Sequence, residues 1–273
     1  MFSDDVALAD YHIHPDFSVD AEGSIEDFCL AAREKGLSEI CFTTHYDTNP
    51  IDSEWGRSIR IDGELKLNSV VNFGHYVRAV ETAQKESPMV VKCGVEAGYY
   101  PGCEDEIEKL IETYPLEYKL GAVHEVGDIC ICNEESIKRA YGDIPLEKLV
   151  EDYFGLVKQM VESGLFDTVA HIDMYKWHGL KYYGDEILTG HRGRIEPAFE
   201  AMVKHDVGME INTAALRKGH TEYYPTMEIV NSARKAGVRI ASIGSDAHRP
   251  SEVAYDFEVA KMIAYDLFPY CNE

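Results

Sequence analysis

The chain has 273 residues, of which 45% are hydrophobic and 27% charged, with a formal net charge of −23. That length buries one large core or two smaller ones, and the composition is that of a globular protein rather than a disordered or fibrous one. Such acidity argues against a nucleic-acid backbone or an anionic membrane as partner, because the mean field repels phosphate.

The first apolar run, ALADYHIH (7–14), reads as a strand. SIEDFCLAAREKG follows as a helix with Ser24 as N-cap, an acidic first turn and Gly36 as its stop. EICFTTHY (39–46) is the second strand. A polar insertion at 47–69 separates it from the helical pattern VNFGHYVRAVETAQKES. VVKCGVEAGYY (90–100) leads to the helix CEDEIEKLIETY, and YKLGAVHEV (118–126) to PLEKLVEDYFGLVKQMVESG. DTVAHIDMY (167–175), GMEINTAAL (208–216) and RIASIGSDAH (239–248) complete the strands. Their helices are RIEPAFEAMVKHD, TMEIVNSARKAG and SEVAYDFEVAKMIAYDL.

Alternation of this kind implies a parallel sheet with helices outside it. No GxGxxG follows the first strand, so a dinucleotide fold has no direct support. The expectation is an α/β chain folded as one domain over 1–273, a (β/α)7 barrel with its active site at the C-terminal ends of the strands. No apolar run reaches the roughly 18 residues of a membrane-spanning helix. The acidic opening MFSDDVALAD is unlike a signal or transit peptide. Seven cysteines without a disulfide-like spacing point to reduced thiols and a cytoplasmic setting. Cys130 and Cys132 form a CxC that reads as two small apolar residues, since no second cysteine pair completes a zinc set.

The strand ends carry the chemistry. His12 and His14 end the first strand and His45 the second. Glu96 lies on the third, His124 on the fourth and His171 on the fifth. Asp246 and His248 end the seventh, and Asp20 follows the first. Residues i and i+2 of a strand share a face, so His12 with His14, and Asp246 with His248, point into the barrel mouth. These positions take more than half of the 11 histidines. Core packing does not call for so many buried polar groups. Imidazole and carboxylate are ligands for zinc, manganese, iron or cobalt. Nine such side chains exceed one ion's needs and suit two or three divalent ions sharing carboxylates. A metal cluster also gives an acidic chain the positive centre that a phosphate ester requires. His75, His191, His205 and His220 fall on helices or loops and read as solvated; His178 reads as a surface residue.

These motifs resemble those of the PHP (polymerase and histidinol phosphatase) family, from DYHIH to GSDAH, nearly the whole chain. FTTHY, GVEAGYY, GAVHEV and VAHIDMYK resemble the intervening motifs. EINTAALRKG…YYP followed by IGSDAHRP is most similar to the monofunctional histidinol-phosphate phosphatases. The resemblance implies a distorted barrel and a trinuclear metal site. His12, His14, Glu96 and Asp246 would hold one ion. Glu96, His124 and His171 would hold the second. Asp20, His45 and His248 would hold the third, with Asp16 competing for the place of Asp20. Arg217 would hold the substrate phosphate. The implied reaction is hydrolysis of L-histidinol phosphate in histidine biosynthesis, by a hydroxide bridging the ions. NTAAL departs from a more usual Ser-Gly pair, and the 47–69 insertion is a candidate lid.

Three other readings compete. A PHP-type phosphatase or phosphodiesterase for nucleotides or other small phosphoesters would share the metal site. An amidohydrolase barrel also opens with HxH, but asks for Lys on strand four and His on strand six, where this chain has His124 and Glu210. A non-enzymatic metal-binding module would be expected to lose ligands, and here all nine positions are filled.

Overall fold

The computed structural model describes residues 8–265. Ala7 of the expected first strand, residues 266–267 of the expected last helix, and Cys271 lie outside the described residues. Seven parallel strands run round the main sheet in chain order: β1 (Ala9–Ile13), β2 (Glu39–Phe42), β3 (Val90–Gly98), β4 (Tyr118–Ala122), β5 (Thr168–Val169), β6 (Gly208–Asn212) and β7 (Ile240–Gly244); the expected 39–46 strand breaks after Phe42, and its end, His45–Tyr46, is an eighth short strand paired with β3. An isolated parallel bridge between Ile13 and Ala247 brings the last strand back to the first. The His14 N–H donates to the Ala247 carbonyl at 2.9 Å. The expected barrel therefore forms. Its distortion is local, with register irregularities in the β1–β2 and β6–β7 ladders.

Helices pack outside, as alternation requires. Helix α1 (Ile25–Glu34) starts at a capping box: Ser24 Oγ accepts from the Asp27 N–H at 3.2 Å, and the Asp27 carboxylate accepts from the Ser24 N–H at 2.9 Å. It stops before Gly36, whose φ of +76° suits glycine. Phe28, Phe42, Phe73 and Tyr76 belong to the apolar layer between sheet and helices. A smaller cluster includes Cys41, Tyr118, Leu120 and Ala122, with Tyr11 packed on it edge-to-face with Tyr118 at 4.9 Å.

Several elements are shorter than expected. β5 keeps two residues of the run 167–175, and β6 ends at Asn212, after which a four-residue helix, Ala214–Arg217, turns the chain. The last expected helix divides into a 3-10 turn, Pro250–Glu252, and a helix, Phe257–Ala264. The 47–69 insertion contains an antiparallel hairpin, Ser58–Ile61 with Glu64–Leu67. A second small hairpin, Glu125–Val126 with Ile129–Cys130, follows His124. Arg60 fixes the first hairpin to the loop after β1, donating to the carbonyls of Asp16, Ser18, Val19 and Ala21.

Two of the histidines expected to be solvated are not. His191 is 2% exposed, next to Glu228, and His220 is only partly exposed. Their loops are folded onto the barrel, and polar composition alone does not reveal that. The six cysteines among the described residues are free thiols. No helix among the described residues is long and apolar enough to cross a membrane.

Candidate metal centre

Glu96 stands at the middle of the mouth, 1% exposed on the buried half of β3. Its Oε2 lies 3.3 Å from His12 Nε2, 3.4 Å from His14 Nε2 and 2.9 Å from His45 Nδ1. Its Oε1 lies 2.7 Å from His171 Nε2 and 3.5 Å from His124 Nε2. Asp246 Oδ1 is 3.7 Å from His12 Nε2, and 3.5 Å from both His14 Nε2 and His248 Nδ1. At the rim, Asp20 Oδ2 is 3.2 Å from His248 Nε2 and 3.7 Å from His45 Nε2. The structure thus brings all nine side chains singled out above into one cluster. Asp16 is elsewhere, lining grooves beside α1 and the Arg60 hairpin.

The route by which they meet differs in part from simple strand alternation. Tyr11 and His12 both face inward although they are adjacent, and the β1–β2 register breaks between Asp10 and Ile13. β7 ends at Gly244, so Asp246 and His248 are not a strand pair. Asp246 has φ +53° and His171 φ +26°, a left-handed region that side-chain-bearing residues seldom occupy. Such strain persists where the surrounding structure dictates it, and here both residues carry a functional group into the cluster.

The far nitrogens of the rings are held by residues outside the strand-end pattern. His12 Nδ1 donates to Glu210 Oε1 at 2.8 Å. A Cβ at position 244 would lie 2.0 Å from that oxygen and 2.5 Å from His12 Cβ, so Gly244 allows the approach. His124 Nδ1 donates to Asp47 Oδ1 at 3.1 Å, and His14 Nδ1 is 3.3 Å from Ser18 Oγ. Fixing one nitrogen directs the other at the centre. Glu210 is readable in the sequence as a polar residue on a core strand. Asp47 has only its place two residues after His45 to mark it.

Electrostatics at the cluster reflect crowding. Burial opposes charge on Glu96, but His12 and His45 override it and hold the carboxyl well below its usual range. Burial also opposes a proton on His12, yet Glu210, Glu96 and Asp246 raise it well above the ordinary histidine value. His14 goes the other way, lowered by burial and then by His45 and His248. Beside the cluster, burial pushes Glu125 up to about 8.

Despite this crowding, His12 Nε2, His14 Nε2, His45 Nδ1 and Glu96 Oε2 make no hydrogen bond among the described residues. Four buried polar atoms converging without partners are costly unless something lies between them. Three compact ligand triplets form around that point: His12–His14–Asp246, His12–Glu96–His171 and His14–His45–His248, each with its donor atoms within 4.8 Å of one another. They overlap the grouping implied by the motifs, with His12 and His14 shared between triplets. The donor set, nitrogen and carboxylate oxygen, fits divalent cations.

A cavity of about 480 Å³ opens above this point. Arg217 and Lys218 reach it from the helix after β6. Arg217 donates to the Asp246 carbonyl at 2.9 Å, while its Nη1 makes no hydrogen bond among the described residues. Lys218 Nζ lies 3.7 Å from Asp246 Oδ2 and 3.8 Å from the centroid of the Trp177 ring. The motifs point to Arg217 and give no sign of Lys218. Cys130 and Cys132, read from the sequence as two small apolar residues, also line the cavity. His178 is partly buried against the Cys132 carbonyl.

A PHP domain model matches residues 10–214. A Deinococcus radiodurans protein named "Probable histidinol-phosphatase" is 30% identical over 253 residues, 92% of this chain and 90% of its own length. The histidinol-phosphatase of Lactococcus lactis is 26% identical, over 88% and 83% of the two chains. A crystal structure of histidinol phosphate phosphatase from Lactococcus lactis, complexed with zinc, L-histidinol and phosphate, superposes with a TM-score of 0.73. That match covers 97% of this chain and 95% of the other, at 20% sequence identity.

Proposed function

This chain belongs to the PHP domain family, and from that premise we propose that it is a metal-dependent phosphomonoesterase hydrolysing L-histidinol phosphate to L-histidinol and phosphate. The observation that carries the reading is the convergence of three imidazole nitrogens and the Glu96 Oε2 on one point without a hydrogen bond among the described residues. The relatives named for histidinol phosphate supply the substrate.

His12, His14, Glu96 and Asp246 would hold one divalent ion, Glu96, His124 and His171 a second, and Asp20, His45 and His248 a third. Zinc, manganese and iron all suit these donors. Ions held there would neutralise phosphoryl charge and make water a competent nucleophile near neutral pH. The protein's own groups supply the rest. Glu210 and Asp47 fix the rings of His12 and His124 in one tautomer and one orientation. Arg217, held through its other nitrogen by the Asp246 carbonyl, has Nη1 free to take a phosphate oxygen. Lys218 adds a second positive charge on the same side. Trp55 and Trp177 supply apolar surface to the cavity wall.

The test is phosphate release from L-histidinol phosphate beside AMP, a sugar phosphate and a phosphodiester, each with added Mn²⁺ or Zn²⁺ and with chelator. Chelator-sensitive turnover that strongly prefers L-histidinol phosphate is expected. Equal or better turnover of another ester would overturn the substrate assignment, and chelator-resistant turnover would overturn the metal.

A further inference from the structure

The cavity above Glu96 has two chemically unlike sides. On the Asp246 side stand Arg217 and Lys218, within 2.9 Å and 3.7 Å of atoms of that residue. On the His124 side stand two carboxylates that the metal cluster does not use. Asp52 comes from the 47–69 insertion and Glu125 from the hairpin after His124. Their oxygens lie within 4.8 Å of each other and of Cys130 Sγ. Glu125 is only 4% exposed, yet it lines the cavity. One of its oxygens accepts from Asn49 Nδ2 at 3.1 Å, and the other has no hydrogen bond among the described residues. Neither carboxylate is within ion-pair distance of a Lys or Arg among the described residues. Arg57, near Asp52, donates only to its backbone carbonyl. Two carboxyl groups side by side, with no Lys or Arg paired to them and a free oxygen at the cavity wall, offer acceptors to a cationic ligand that enters the cavity.

Resting on the function proposed above, we propose that Asp52 and Glu125 form the subsite for the positively charged end of the leaving alcohol. The substrate class is a phosphomonoester whose alcohol bears an ammonium group close to the ester. Phosphate is drawn to the Arg217–Lys218 side and ammonium to the Asp52–Glu125 side, so a bipolar substrate is oriented by two opposite fields across Glu96. The insertion that supplies Asp52 is thus a specificity element. A phosphate ester whose alcohol is neutral gains nothing from the acidic side and leaves the second Glu125 oxygen unpaired, which is the strongest basis for discrimination a polar pocket has.

Glu125→Gln and Asp52→Asn keep shape and remove charge. The amide introduced by Glu125→Gln retains an oxygen acceptor for Asn49, and Asp52 is on a half-exposed loop, so at least one variant tests the pair in a folded protein. Two readouts are needed beyond metal content: the affinity for L-histidinol by calorimetry, and the ratio of kcat/KM for L-histidinol phosphate to that for phenyl phosphate. Each variant is expected to weaken L-histidinol binding, and to lower the ratio, by about 10- to 100-fold, the range for a charged hydrogen bond. Unaltered binding and ratio in both variants would overturn the subsite. A wild-type enzyme that turns over phenyl phosphate but neither hydrolyses L-histidinol phosphate nor binds L-histidinol would overturn the functional reading as well. Cobalt loading separates the remaining alternative: a thiolate charge-transfer band lost in Cys130→Ser would make the acidic pair part of a metal site and overturn the proposal.

Discussion

The lower barrel and its mouth both bury polar groups, and they do so in opposite ways. Below, the Tyr118 hydroxyl is 2.9 Å from Thr168 Oγ1 and 2.8 Å from Ser242 Oγ. Lys92 Nζ is 2.6 Å from the Tyr11 hydroxyl and 2.7 Å from Glu39 Oε1. Donors there meet acceptors, and the charged pair is partly open to solvent. At the mouth, His12 Nε2 and His14 Nε2 lie 3.3 and 3.4 Å from Glu96 Oε2, all three fully buried, yet none of these atoms makes a hydrogen bond among the described residues. Histidines and carboxylates crowd there more densely than hydrogen bonding can satisfy. Polarity in a core therefore says little about function by itself. Single unpaired atoms also occur away from the mouth, as at the Tyr175 hydroxyl and His191, so what marks the site is the convergence of several such nitrogens and a carboxylate oxygen on one point.

The largest effect should come from the mouth. Glu96→Gln removes the carboxylate that touches five imidazoles. Metal content and phosphatase activity should fall together, with activity near background. Added metal should also raise the melting temperature of the wild type but not of this variant, because ligand binding to the folded state stabilises by mass action. Retained metal stoichiometry in Glu96→Gln would show that the unbalanced atoms are not a cation site. Glu210→Gln probes the support behind His12. It should weaken metal affinity by about 10- to 100-fold, the usual cost of losing a partner behind a ligand. Activity should return at high metal concentration. Arg217→Ala should keep the metals and lose about 2 kcal/mol of transition-state stabilisation, near the value of a charged hydrogen bond. Unchanged kcat/KM would remove Arg217 from the phosphate side.

The difference between the two regions also explains what the sequence can reveal. Histidine is scarce, so its recurrence at strand ends stands out, and His12 to His248 can be named without coordinates. Barrel closure follows from alternation, because short apolar runs and capped helices such as Ser24–Gly36 are local signals. Asp47 and Glu125 are not distinguishable among 49 acidic residues, most of which only solvate the surface. Their burial depends on two hairpins whose pairing no periodicity announces. Lys218 is hidden likewise, since its role depends on Trp177 lying 3.8 Å beneath it. The strand pattern also overreaches at Asp246 and His171, where the backbone enters a left-handed conformation and alternation ceases to hold.

The smallest effect should come from the balanced region, and it tests the comparison most directly. Tyr118→Phe deletes one hydroxyl and leaves the Thr168 and Ser242 hydroxyls short of a partner. The cost should be about 1–2 kcal/mol, the range for leaving a buried polar group unpaired. In a chain of this size that is a fall in melting temperature of a few degrees, about 2–4 °C per kcal/mol. Adding Ser242→Ala should recover part of the loss, because removing both partners costs less than removing one. Metal stoichiometry and kcat/KM should not move, since the aromatic ring still packs against Tyr11 at 4.9 Å and nothing at the mouth loses a contact. Metal affinity that fell with Tyr118→Phe would mean that the lower network sets the positions of the strand ends, and the two regions would then have to be treated as one.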